Sequence, residues 1–217
     1  MRYEKGHRAE TSTRIVESAS TRIRERGIES IKVAELMKTA GLTHGGFYLH
    51  FKSRSDLIDK AFAHAMDGSV AQWRRLADSS GPGKRLLSIV DYYLTEHHRR
   101  DTADGCALPA LSADVPRSSA RIRRRFSEGL KEMVDVLSED MHGQTKREAQ
   151  REAIAIVSEM VGALLLSRAV DHADFSAEIL SVAREAVLGG APRGVGVPRT
   201  KRSLPPRITR LGKRPET

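Results

Sequence analysis

The run Gly41-Leu42-Thr43-His44-Gly45-Gly46-Phe47-Tyr48-Leu49-His50-Phe51 constrains this chain more than any other stretch. Ahead of it, Val33, Leu36, Met37 and Ala40 recur at i, i+3, i+4 and i+7, the apolar stripe of a short helix. Gly41 stops that helix, because glycine takes the left-handed cap conformation without a Cβ penalty. Thr43 can cap a second short helix whose buried face is Phe47 and Phe51. Two short helices joined by a glycine turn make a helix-turn-helix, a unit whose second helix enters the DNA major groove by its N-terminal residues.

The flanks read as helices throughout. Ile15, Ala19 and Ile23 line a first helix that Gly27 ends, after a polar and flexible Met1 to Ala9. Ser53-Arg54-Ser55-Asp56 has the form of a capping box and opens a fourth helix reaching Ala77, with Leu57, Ala61 and Ala65 on one face. Asp78 to Gly83 breaks the chain. Beyond it the pattern predicts helices over Lys84–His98, Ala103–Ala113, from Pro116 to Met141, over Lys146–Val170, and from a Ser176 cap to Gly189. Strand-like alternation is scarce.

The formal charge of +9 is concentrated at the ends. Residues 1–60 carry 12 Lys/Arg against 8 Asp/Glu, residues 61–189 carry 17 against 19, and residues 190–217 carry 8 against 1. Basic ends around a near-neutral middle suit an anionic polymer and, between them, a partner surface or small ligand. No apolar run approaches the roughly 18 residues of a membrane span, and the N-terminus has no signal-like apolar stretch, so the cytoplasm is the expected compartment. Cys106 is the only cysteine, which excludes an internal disulfide. His97 and His98 are adjacent on a helix and diverge, a poor metal pair. Neither a metal nor a cofactor is called for.

Arg14-Ile15, Ala19, Gly27, Val33, Leu36, Ala40-Gly41, Phe47-Tyr48, His50-Phe51 and Leu57 fall in an order and spacing that resembles the N-terminal domain of the tetracycline-repressor (TetR) family of bacterial transcription regulators. Two positions depart from that pattern: Lys32 stands where Thr or Ser is usual, and Arg54 where Lys is usual. The resemblance implies an all-α chain with a helix-turn-helix domain over residues 8–52, a linking helix 53–77 and a helical ligand-binding and dimerisation domain over 78–189. Residues 190–217, with five of the eight prolines, read as a disordered basic tail. The tail either adds sequence-independent DNA affinity through Arg199, Lys201, Arg202, Arg207, Arg210, Lys213 and Arg214 or has no partner.

Thr43 and His44 are the candidates for base readout. Gly45 and Gly46 each cost a helix about 1 kcal/mol relative to Ala, understandable if the backbone must come close to bases or phosphates. Arg14 and Lys32 are candidate phosphate contacts, and the resemblance implies the same role for Tyr48 and Lys52. The resemblance adds His50 to them, although a packing histidine between helices fits equally well. Ile154, Val157, Val161, Leu164, Leu165, Ile179, Val182 and Ala186 give the last two helices more apolar surface than one core face needs, so a second copy is the expected partner. The resemblance implies the same homodimer through a four-helix bundle.

An apolar pocket framed by Tyr92, Tyr93, Cys106, Leu111, Phe126, Met133 and Met160 would take an unknown inducer. Cys106 follows His97, His98, Arg99 and Arg100 and starts a short helix, features that favour a thiolate, so it reads either as a sensor or as a small buried hydrophobe. The sequence therefore predicts a one-component repressor that leaves a palindromic operator on binding a small molecule or on modification of Cys106. A non-sensing architectural DNA-binding protein is the alternative, and a cysteine-dependent enzyme using His97 or His98 a remote one. No nucleophile elbow accompanies that last reading.

Overall fold

A computed structural model describes residues 2–81, 83–141 and 144–189; the side chains of residues 2–6 and of His44 are outside the description. The described residues form ten α-helices and no strand. Helices α1 (Arg2–Arg26), α2 (Val33–Thr39) and α3 (Phe47–His50) make a head, and α4 (Arg54–Ser79) runs from it into the body. The body comprises α5 (Arg85–Tyr93), α6 (Glu96–Arg100), α7 (Ala107–Leu111), α8 (Ala120–Ser138), α9 (Lys146–Ala169) and α10 (Ala173–Leu188). The readings of residues 190–217 lie outside the described residues.

The head is built on the predicted stripes. Ile15, Ala19 and Ile23 of α1 are buried with Leu36, Met37, Phe47, Phe51 and Leu57 in one continuous core. Gly41 has φ +72°, and the Leu42 and Gly41 N–H groups donate to the Met37 and Lys38 carbonyls at 2.8 and 3.0 Å, the paired bonds of a Schellman cap. Ser53 Oγ accepts from the Asp56 N–H at 3.1 Å, as a capping box requires. The reciprocal carboxylate bond goes one residue further back, to the Lys52 N–H at 3.1 Å.

Several boundaries differ from the sequence reading. Helix α1 begins at Arg2, so the polar N-terminal stretch is helical. The Lys84–His98 helix is two, because Leu94 leaves the helical region and Thr95 caps α6 by accepting from the His98 N–H. Ser176 does not cap α10, which starts three residues earlier; it is buried inside the helix, donates to the Ser167 carbonyl at 2.6 Å and accepts from Arg99 at 2.9 Å. A hydroxyl that bridges three elements cannot also cap the end of one.

Candidate functional site

The second helix of the helix-turn-helix is shorter and tighter than a Thr43–Phe51 helix. His44–Gly46 is a 3₁₀ turn, closed by the Gly46 N–H donating to the Thr43 carbonyl at 3.0 Å, and only Phe47–His50 is α-helical. The two glycines weaken the α-helix where it would start, and a 3₁₀ turn satisfies one N–H at once. Thr43, Gly45 and Tyr48 are exposed at this turn, Tyr48 at 68%. Tyr48 stands edge-on to the buried Phe47, ring centroids 5.3 Å apart, so the core fixes its base and leaves its hydroxyl end in solvent.

Arg14, Lys32 and Lys52 are also exposed. Lys32 precedes α2 without any side-chain cap, as its departure from Thr or Ser implies, and pairs with Glu35 at 3.2 Å. His50 takes the packing role. Its Nδ1 is 2.8 Å from Ser12 Oγ, tying α3 to α1, and burial lowers its pKa from the usual value. A second tie is the Arg8 guanidinium on the Leu49 carbonyl at the end of α3. Arg54, the other departure, donates to the Ile31 carbonyl at 2.8 Å and to the Glu29 carboxylate at 3.0 Å, which fastens the start of α4 to the loop before α2. Arg8 therefore braces α3 against α1, and Arg54 fixes α4 to the loop before α2, roles that no sequence periodicity signals.

The proposed pocket residues do not converge on one apolar cavity. Tyr93, Leu111, Met133 and Met160 are fully buried core. Phe126 belongs to a groove of about 330 Å³ between α8 and α9 with Leu130, Val134, Ile154 and Val157. Tyr92 and Cys106 line a different cavity of about 220 Å³, with Arg24 from α1, with His64, Ala65, Ser69, Gln72, Trp73 and Arg75 from α4, and with Asp104. That cavity sits where head meets body and is more polar than expected.

Cys106 is a buried thiol, not a favoured thiolate. Burial pushes its pKa up, outweighing nearby hydrogen bonds and Arg168. Its backbone N–H donates to His98 Nε2 at 3.0 Å, while the protonated Nδ1 donates to the Tyr93 carbonyl at 2.9 Å. Both ring nitrogens of His98 are thus engaged by backbone, and His97 is exposed, so neither histidine serves as base to the thiol. Among the described residues no group of three or more His, Cys, Asp or Glu could hold a metal, and no helix is long and apolar enough to cross a membrane.

The predicted dimer face separates into two sets. Ile154 and Leu165 of α9 and Val182 and Ala186 of α10 are exposed, and Val161 and Ile179 are half-buried. Val157 and Leu164 are buried in the chain's own core because they share a stripe with Ala153, Ile156 and Met160. Leu166 and Phe175, 55% and 53% exposed, extend the apolar surface and were not anticipated.

Comparisons with known proteins agree with this architecture. Residues 15–61 match the family model "Bacterial regulatory proteins, tetR family", and residues 82–180 match "Transcriptional regulator LmrA/YxaF-like, C-terminal domain". Over 128 residues the chain is 29% identical to the transcriptional repressor KstR2 of Mycobacterium tuberculosis, a match covering 58% of this chain and 64% of that protein. Over 122 residues it is 31% identical to the transcriptional repressor NemR of Escherichia coli, covering 53% and 59% respectively. The fold superposes on the crystal structure of reduced E. coli NemR with a TM-score of 0.70 at 21% identity, covering 83% of this chain and 96% of that one. A regulator from Chloroflexus aurantiacus gives a TM-score of 0.70 at 20% identity, with 86% and 96% covered.

Proposed function

Because the chain belongs to the TetR family of bacterial regulatory proteins, we propose that it is a homodimeric DNA-binding repressor released from its operator by a small molecule. The observation that carries this reading is the turn from Thr43 to Tyr48, where Thr43, Gly45 and Tyr48 are exposed and Phe47, His50 and Arg8 brace it from behind. Such a turn presents backbone N–H groups to base edges and phosphates, with Thr43 and His44 reading bases and Gly45 and Gly46 permitting close approach. Arg14, Lys32, Tyr48 and Lys52 neutralise or bond phosphates, so affinity falls steeply with salt. That KstR2 and NemR are named repressors favours repression over activation for this chain.

A two-fold dimer is the natural partner arrangement. Ile154, Val161, Leu165, Ile179, Val182 and Ala186, joined by Leu166 and Phe175, would meet the same residues of a second copy. The two reading turns must then lie about 34–36 Å apart, or a multiple, over a near-palindrome. Of the two release signals, a small molecule is favoured over modification of Cys106, since the thiol is buried and protonated in this conformation.

Selection of bound sequences from a random DNA pool tests the reading. A specific regulator prefers one palindrome over bulk DNA by at least about a thousandfold. Uniform affinity for all sequences would instead favour an architectural protein that relies on its basic ends. Repeating the selection with a thiol oxidant tests the Cys106 signal.

A further inference from the structure

The cavity between head and body has three properties that together define an occupant. Its lining carries two guanidinium groups, Arg24 and Arg75, against one carboxylate, Asp104, an excess of one positive charge. The Arg24 side chain is 9% exposed, whereas Asp104, 3.6 Å away, is 82% exposed. Arg24 also bonds the Ser20 hydroxyl at 3.1 Å and feels Asp101 and Glu25, yet desolvation outweighs these charges and lowers its pKa.

The second property is an unused donor. Among the described residues, Trp73 Nε1 and the Tyr93 hydroxyl are the buried side-chain polar atoms without a hydrogen-bond partner. The Tyr93 hydroxyl faces the Cys106 thiol, a weak partner. Trp73 Nε1 has no such substitute; the indole forms part of the cavity wall, while its N–H is sealed from the cavity in this conformation. A buried N–H without an acceptor is costly, and a turn of the indole toward an occupant that bears an acceptor would relieve it.

The third property is size and wall chemistry. A volume of about 220 Å³ exceeds the roughly 150 Å³ that admits benzene, and Ala65, Trp73 and Tyr92 supply apolar wall. Arg24 also latches the head to the body, donating through Nε to the Ala103 carbonyl at 2.5 Å.

We propose that this cavity binds a small monocarboxylate through the Arg24 and Arg75 guanidinium groups, with the Trp73 indole turning to offer its N–H, and that the carboxylate draws Arg24 away from Ala103 and Asp104, weakening the head's attachment. This inference rests on the proposed regulatory function and names its effector class. The lining's single excess charge matches a monoanion rather than a phosphate dianion. Occupancy then acts on α1 directly, in addition to any movement of α4, and lowers operator affinity.

Trp73 is the chain's only tryptophan, so its fluorescence reports occupancy. The full chain is titrated at fixed ionic strength with acetate, hexanoate, benzoate and 1-naphthoate and with the primary amide of each. At least one acid is expected to give a saturable change with a midpoint below about 1 mM, and its amide to bind at least about tenfold more weakly. Asp104→Asn removes the competing carboxylate and tightens acid binding severalfold. Arg75→Gln and Arg24→Met weaken it. Tightening by Asp104→Asn is a result that damage to the fold would not produce.

Silence of all four acids up to about 10 mM, equal binding of acids and amides, or no tightening by Asp104→Asn would overturn the proposal. On the selected palindrome, the binding acid should weaken DNA affinity of the parent and not of Arg24→Met. Acid binding without any loss of DNA affinity would overturn the latch. Failure of the unliganded protein to prefer any DNA would instead overturn the regulatory reading and leave carboxylate binding standing.

Discussion

Replacing Val182 by Glu separates association from folding. Val182 is 57% exposed on α10, and Glu has a better helix propensity than Val, so the isolated chain should keep its stability within about 0.5 kcal/mol. In a dimer the remaining apolar surface would be covered. Burying a whole Val side chain is worth about 1.5–3 kcal/mol, so the exposed half accounts for about 1–1.5 kcal/mol. A two-fold interface doubles that loss to about 2–3 kcal/mol. Each introduced carboxylate must also either be desolvated without a partner or hold the helices apart to stay wet, which adds at least 1 kcal/mol more. At about 1.4 kcal/mol per factor of ten, the dimer dissociation constant should rise at least about a hundredfold. Sedimentation velocity over a concentration series measures it, with circular dichroism to verify the helices. A variant that stays dimeric at the parent's concentrations would refute the assignment of this face.

Three further outcomes follow from particular contacts. The neutral form of the buried His98 accepts the Cys106 N–H, and burial lowers its pKa below the ordinary value of about 6.5. The unfolded chain therefore takes up its proton first on acidification; the contribution to stability is full above about pH 6.5 and is lost as pH falls through the lowered folded value, a slope that His98→Gln should flatten in denaturant titrations. Gly105→Ala places a Cβ 2.4 Å from the Asp101 carbonyl oxygen, a backbone clash that should cost about 1–3 kcal/mol in urea unfolding. If Lys52 makes the proposed phosphate contact in each of two subunits, Lys52→Gln should make the slope of log affinity against log salt for operator DNA shallower by about 1.8.

The sequence made the head legible because each of its signals is local. Gly41 needs a left-handed φ, Ser53 needs an N–H three residues on, and Ile15, Ala19 and Ile23 need one face; all three constraints act within two turns of helix. The body was legible in outline, since long apolar stripes such as that of α9 survive small boundary errors. Its cavity was not legible. Arg24, Trp73 and Asp104 come from three separated segments, and only packing brings them to one space. The sequence reading placed Tyr93, Met133 and Met160 around a pocket, but an apolar pattern cannot tell a side chain that lines a void from one that fills it, and all three are buried core. The choice between the two readings of Cys106 was not legible for a related reason: neighbouring Arg and His in sequence suggest a thiolate, whereas burial decides the protonation and His98 spends both nitrogens on backbone.

The same distinction between local and assembled features bears on how a signal reaches DNA. The head meets the body through α4 and through side-chain latches that cross from one to the other. Arg24 donates to the Ala103 carbonyl, and Asp114 accepts the Ile28 N–H at 3.0 Å just after Gly27, whose φ of +79° turns the chain out of α1. A ligand can shift an equilibrium only by its differential affinity for the two states. An occupant confined to the body core would have to act indirectly, through α4 or through body residues such as Asp114 that touch the head. One that competes for Arg24 differs in contacts between the latched and unlatched states by a charge-assisted hydrogen bond, worth about 1.5–3 kcal/mol, in each of two subunits. The combined range of about 3–6 kcal/mol reaches the roughly 5.5 kcal/mol needed to carry a two-state population from one side to the other. The position of a single arginine on the DNA-reading head would thus be sufficient to make the junction, rather than the core, the place where occupancy is read.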